Sequence, residues 1–109
     1  MNLEIFEQDI MKEIRNNKTY IVRDYDMKKL KISTTELKPS KKTTGHLHKG
    51  IEEVYYCLRG QGYILLDGGS QLFRKGDIII IPAGDFHQVS NFSKYRKLKF
   101  LCVMNKYKR

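Results

Sequence analysis

Residues 45–53 read Gly45-His46-Leu47-His48-Lys49-Gly50-Ile51-Glu52-Glu53. Two histidines stand two residues apart, and two carboxylates follow within five residues of the second. In an extended chain, alternation of side chains puts the imidazoles of His46 and His48 on one face. The Lys49-Gly50-Ile51 turn then returns the chain so that a carboxylate can face them. Two imidazoles and one carboxylate on a common face suit a first-row transition metal. A second stretch, residues 76–91, reads Gly76-Asp77-Ile78-Ile79-Ile80-Ile81-Pro82-Ala83-Gly84-Asp85-Phe86-His87-Gln88-Val89-Ser90-Asn91. It carries the last of the 3 histidines, so all of them fall in these two stretches.

Outward from there the chain reads as short strands between glycine-rich turns. Residues 54–58 follow Glu53 as a strand, and parity places Tyr55 and Cys57 on the face of Glu53. Arg59-Gly60-Gln61-Gly62 and Asp67-Gly68-Gly69-Ser70 are hairpin turns flanking a strand over 63–66. Residues 71–74 form another. Ile78–Ile81 is a continuous apolar run, expected in a strand buried on both faces. His87 lies on a strand over 86–91, with Gln88 pointing away from its face. Residues 97–104 form the last strand, with Leu98, Phe100, Cys102 and Met104 on one side. Upstream, residues 29–37 are β-branched and partly alternating, and residues 20–23 are a short β-prone run before a turn at 24–27. Residues 2–15 place apolar side chains at 3, 6, 10 and 14, which predicts a helix ended by Asn16-Asn17-Lys18. The fold class is all-β, a barrel or sandwich in one domain.

Composition narrows the function. The 109 residues carry 21 Lys and Arg against 12 Asp and Glu, a net charge of +9. The basic residues are scattered, although nothing acidic lies beyond Asp85. There is no aromatic–basic interleaving on a nucleic-acid motif, so nucleic acid is not the expected partner. Solvated strand edges account for most of the charge, and a positive surface suits an anionic metabolite. No apolar run is long enough to span a bilayer, and the acidic N-terminus is unlike a signal peptide. Cys57 and Cys102 have no metal-type spacing and read as reduced, buried thiols, pointing to the cytoplasm. No P-loop, dinucleotide fingerprint or serine triad is present.

The two histidine stretches resemble the paired motifs of the cupin superfamily. His46, His48, Glu53 and Gly60 match His-x-His, four residues, Glu, six residues, Gly. Gly76, Pro82, Gly84, His87 and Asn91 match every position of the second motif. The resemblance covers about residues 30–104 and implies a small jelly-roll β-barrel. It also implies an N-terminal extension over 1–29, helix or strand exchanged with a partner, and a basic tail over 105–109. The implied metal ligands are His46, His48, Glu53 and His87. Glu52 is a rival to Glu53, but only Glu53 keeps the six-residue gap to Gly60. The ligand set suits a divalent Fe, Mn, Ni, Zn or Co ion without choosing among them. Tyr55 shares the cavity by parity and is the candidate catalytic residue, as a donor to substrate. Val89, Cys57, Phe100 and Cys102 are further candidates to line it.

The first motif is also similar to small cupins related to sugar-phosphate isomerases. That resemblance implies a metal-dependent, isomerase- or epimerase-like enzyme acting on a small polar metabolite, a sugar or sugar phosphate, as a homodimer. The alternatives are a non-catalytic binding or sensing protein and an Fe-dependent dioxygenase.

Overall fold

The computed structural model describes residues 1–106. One helix, α1 (Leu3–Asp9), is followed by nine strands: β1 (Lys12–Asn16), β2 (Tyr20–Asp26), β3 (Leu30–Leu37), β4 (Glu53–Arg59), β5 (Gln61–Leu66), β6 (Gly69–Arg74), β7 (Ile78–Ile81), β8 (His87–Asn91) and β9 (Leu98–Asn105). They form an antiparallel sheet of six, ordered β1-β2-β3-β9-β4-β7, and a sheet of three, ordered β6-β5-β8. The two sheets are not hydrogen-bonded into one closed ring. Isolated bridges, Lys42 with Ser90 and His46 with His87, connect the segment after β3 to the smaller sheet. The basic tail expected over 105–109 lies outside the described residues from 107 onward; Asn105 closes β9.

Alternation makes the core. β4 buries Glu53, Tyr55 and Cys57, and β9 buries Leu98, Phe100 and Cys102. Ile64 of β5, Phe73 of β6 and Val89 of β8 meet them from the other sheet. Asn91 ties the end of β8 to its surroundings. Its amide Nδ2 donates to the carbonyls of Leu37, Lys38 and Arg96 at 3.1, 3.2 and 2.8 Å. At Gly62 an added Cβ would lie 2.0 Å from the Ser90 carbonyl oxygen, so the β5–β8 approach excludes any side chain there.

Three sequence expectations change. The helix predicted over 2–15 ends at Asp9, and residues 12–16 are a strand. Seven residues with an Asn2 cap complete the helix, and the next segment gains a ladder along β2 that a short isolated helix cannot match. Ile78–Ile81 is not buried on both faces: Ile78 and Ile80 are 65% and 67% exposed, while Ile79 and Ile81 are buried. β7 is the edge of an antiparallel sheet with only its inner face on the core. Finally, the turn read at 24–27 falls later, since β2 runs on to Asp26.

The outer face of the large sheet carries α1. Glu7 is buried there, accepting from Thr34 Oγ1 at 2.9 Å and pairing with Arg23 at 3.3 Å and with Lys99. Arg23 also donates to Glu36 at 2.8 Å. These contacts pin the helix to β2, β3 and β9.

Candidate metal centre and its cavity

His46 and His48 do not lie on a regular strand. They occupy the irregular segment between β3 and β4, where His46 bridges His87 of β8. The reciprocal bonds are His87 N–H to His46 O at 2.9 Å and His46 N–H to His87 O at 3.2 Å. This bridge performs the alignment expected of a strand. The ring centroids of His46 and His48 are 4.5 Å apart, and those of His46 and His87 are 4.2 Å apart.

β4 brings Glu53 into the same place. Its carboxylate is 2% exposed, whereas Glu52 faces solvent. Glu53 Oε2 lies 3.1 Å from His87 Nε2 and 3.5 Å from His48 Nδ1. One ligand atom each from His46, Glu53 and His87 falls within 4.8 Å of the others. His48 approaches the carboxylate from the side and stands outside that group of three.

The backbone sets two of the rings. His46 Nδ1 faces the Thr44 carbonyl at 3.1 Å, and His87 Nδ1 faces the Asp85 carbonyl at 3.3 Å. A carbonyl only accepts, so each Nδ1 carries the proton and each Nε2 keeps its lone pair. Burial pushes His87 down to about 4, with the neighbouring His46 and His48 adding to the effect. Burial also lowers His48. Burial raises Glu53, opposed by the Cys102 thiol, which donates to Oε1 at 3.6 Å. At neutral pH the 3.1 Å contact therefore joins a neutral nitrogen lone pair to a carboxylate oxygen. Neither atom has a hydrogen-bond partner among the described residues. Two buried acceptors aimed at each other are costly unless a cation lies between them.

A cavity of about 380 Å³ opens beside these groups. Tyr55, Phe100 and Cys102 line it, as parity predicts, while Val89 and Cys57 lie in the closed core. The Cys57 thiol instead points to the carbonyls of Arg59 and Gly60. Tyr55 is stacked on Phe100 at 5.1 Å and meets the His87 ring edge-on at 5.7 Å. Burial holds its hydroxyl protonated, well above the usual tyrosine range. Both cysteines are free and buried. The sequence reading missed Ser33 and Thr35 from β3, Thr43 and Thr44, and Arg15 from β1 as lining residues. Alternation of β3 signals Ser33 and Thr35; nothing local signals Arg15.

Comparison with known proteins places this geometry. Acireductone dioxygenase 1 of Vitis vinifera is 34% identical over 111 residues, spanning 94% of this chain and 58% of that one. The oxalate-binding protein of Thermotoga maritima is 30% identical over 69 residues, 63% of this chain and 56% of that one. The chain thus spans little more than half the length of these curated relatives. Among solved structures, a cupin-superfamily sugar phosphate isomerase of Silicibacter pomeroyi superposes with a TM-score of 0.74 at 19% identity, covering 90% of this chain and 69% of that one. That likeness is one of fold. Residues 33–104 match the cupin domain family, a span that runs from inside β3 to the penultimate residue of β9 and takes in all three histidines. The chain belongs to the cupin superfamily.

Proposed function

We propose that this protein is a metal-dependent enzyme that binds a small polar metabolite in the cavity beside His46, His48, Glu53 and His87. The observation that carries the reading is the 3.1 Å contact of two buried acceptors, Glu53 Oε2 and His87 Nε2. The residues fit a divalent ion: a buried carboxylate and the buried His87 nitrogen, with the exposed His46 beside them and protons fixed on the far side of two rings. His46, Glu53 and His87 would hold it, with His48, whose Nδ1 lies 3.5 Å from Glu53 Oε2, as the fourth ligand. The donors suit Fe, Mn, Ni, Zn or Co. Such an ion supplies Lewis-acid polarisation of substrate oxygens and, when redox-active, reaction with dioxygen.

The chain's own residues do the rest. Tyr55, protonated and fixed by Phe100, donates a hydrogen bond to a substrate oxygen. Phe100 and Met104 give the cavity apolar walls that exclude water. Of the two enzyme readings, dioxygenase-type chemistry is favoured by the 34% identity to an acireductone dioxygenase across 94% of the chain. Isomerase-type chemistry is the second reading, supported by the shared fold of a sugar phosphate isomerase. Elemental analysis of protein purified without chelator, beside His48→Ala and Glu53→Ala, tests both. Near-stoichiometric metal lost in the variants supports the ligand set, and oxygen uptake with candidate metabolites selects the dioxygenase. Metal absent from the wild type, before and after reconstitution, leaves a binding or sensing protein.

A homodimer is part of the proposal. Ile80, Val54, Val103 and Ile32 align across β7, β4, β9 and β3 on the outer face, with the exposed Ile78 and Tyr56 beside them. An apolar row of this kind suits a second copy. Sedimentation of Ile80→Glu against the wild type checks it. Two free buried thiols fit a reducing compartment, which supports the cytoplasm as its location. No helix among the described residues is long and apolar enough to cross a membrane.

A further inference from the structure

The geometry points to Arg15 as the residue that selects the metabolite, by gripping a carboxylate at the cavity mouth. The inference rests on the reading of this cavity as a metabolite site and deepens it by naming a substrate class.

The pairing of β1 with β2 is irregular at one place. Glu13 lies opposite Arg23 and Arg15 lies opposite Val22, so Ile14 is an extra residue with no partner of its own. In a regular strand Glu13 and Arg15 would share a face. Arg23 belongs to the outer face, where it meets Glu7, Glu13 and Glu36. Val22 belongs to the inner face and lines the cavity, as does Thr35 opposite it on β3. The bulge at Ile14 therefore turns Arg15 away from the acidic outer cluster and into the cavity. On the outer face Arg23 is paired with Glu7, Glu13 and Glu36, whereas Arg15, turned inward, forms no ion pair with Glu53, the carboxylate that lines the same cavity.

The guanidinium has no hydrogen bond or ion pair among the described residues. It is also the only Lys or Arg among the described residues that line this cavity. Thr35, buried on the same wall, adds a hydroxyl, while that of Ser33 is committed to Asp24 Oδ1 at 2.7 Å. One planar fork of donors matches a carboxylate in a bidentate pair, whereas a phosphate dianion is ordinarily held by several cations and backbone amides. The cavity volume of about 380 Å³ suits a molecule of a few carbons. The opposite end of such a molecule lies toward His46 and Glu53, which line the same cavity. The larger groove formed by Lys28, Lys29, Lys49 and Lys106 offers only point charges and serves as a control.

Equilibrium dialysis of the full chain as purified, with labelled lactate, with 1,2-propanediol and with inorganic phosphate, tests this, with metal content measured on the same samples. Lactate should bind at least about tenfold more tightly than the uncharged diol. Arg15→Gln should weaken lactate by about tenfold or more and leave the diol and the metal content unchanged. Arg15→Lys, which keeps the charge without the fork, should lie between, about threefold weaker than wild type. Lys28→Gln should match the wild type. Equal lactate binding by wild type and Arg15→Gln overturns the inference, as does an equal loss in Lys28→Gln, which would mean diffuse charge. Phosphate bound more tightly than lactate through Arg15 overturns the carboxylate class. Stoichiometric metal without Arg15-dependent lactate binding sinks this inference alone; Arg15-dependent binding without metal sinks the metal reading alone.

Discussion

Two carboxylates are buried on opposite faces of the same sheet, and the protein treats them differently. Glu7, on the outer face, meets Arg23, Lys99 and the Thr34 hydroxyl. Glu53, on the inner face, meets imidazoles and a thiol, and its Oε2 has no hydrogen bond among the described residues. The first charge is neutralised by the chain itself and fastens a helix. The second has no cationic side chain paired with it among the described residues, as the proposed metal site requires. Burial of charge alone therefore does not mark a functional site; the absence of an internal counter-charge does.

Replacing each carboxylate by its amide should separate the two most widely. Glu7→Gln leaves Lys99 and Arg23 facing an amide and should cost about 3 kcal/mol in denaturant unfolding, with metal content unchanged. Glu53→Gln should cost nothing in the metal-free protein and abolish metal binding. Stability loss in both, or in neither, would break the comparison.

Acid sharpens it next. His87 is held at about 4 in the fold against 6.5 when unfolded, so its contribution is whole above 6.5 and is lost as pH falls toward 4. Glu53, raised above its ordinary 4.5, runs the other way: its buried charge is relieved on acidification. Glu53→Gln removes that compensation. Metal-free Glu53→Gln protein should then lose up to about 3 kcal/mol between these pH values, beyond the loss seen when His87→Gln is added.

Metal addition gives a similar but smaller contrast. Zinc at a hundredfold excess over its dissociation constant should stabilise wild type and Glu7→Gln equally, by about 2.7 kcal/mol, and Glu53→Gln not at all. The smallest effect belongs to the rim of the outer cluster. Lys97 is half exposed and 3.9 Å from Glu36, so Lys97→Ala should change stability by less than about 0.5 kcal/mol.

What the sequence disclosed follows the same division. Glu53, Tyr55 and Cys57, and later Leu98, Phe100 and Cys102, alternate strictly, so their inward faces were legible from local pattern. The histidines were legible from spacing, although a bridge rather than a strand aligns His46. Arg15 was not, because a bulge is a relation between two strands and leaves no mark on one of them. Glu7 was not, because its partners lie 16 to 92 residues away. Ile78–Ile81 misled because an apolar outer face reads the same in sequence whether it meets solvent or a neighbour.

The His46–His87 bridge has a mechanical side. Glu53 belongs to the six-stranded sheet, His87 to the three-stranded sheet, and His46 to the irregular span between β3 and β4. Four backbone bonds link that span to β8 around the site: the reciprocal pair at 46 and 87, Thr43 N–H to Val89 O, and Asn91 N–H to Lys41 O. An ion gripped by all three side chains is a clasp between layers that are otherwise joined by few main-chain bonds. Loading it should slow amide exchange over residues 41–48 and at His87 and Asn91 together, as one cooperative unit, while leaving the β5–β6 hairpin at its own pace.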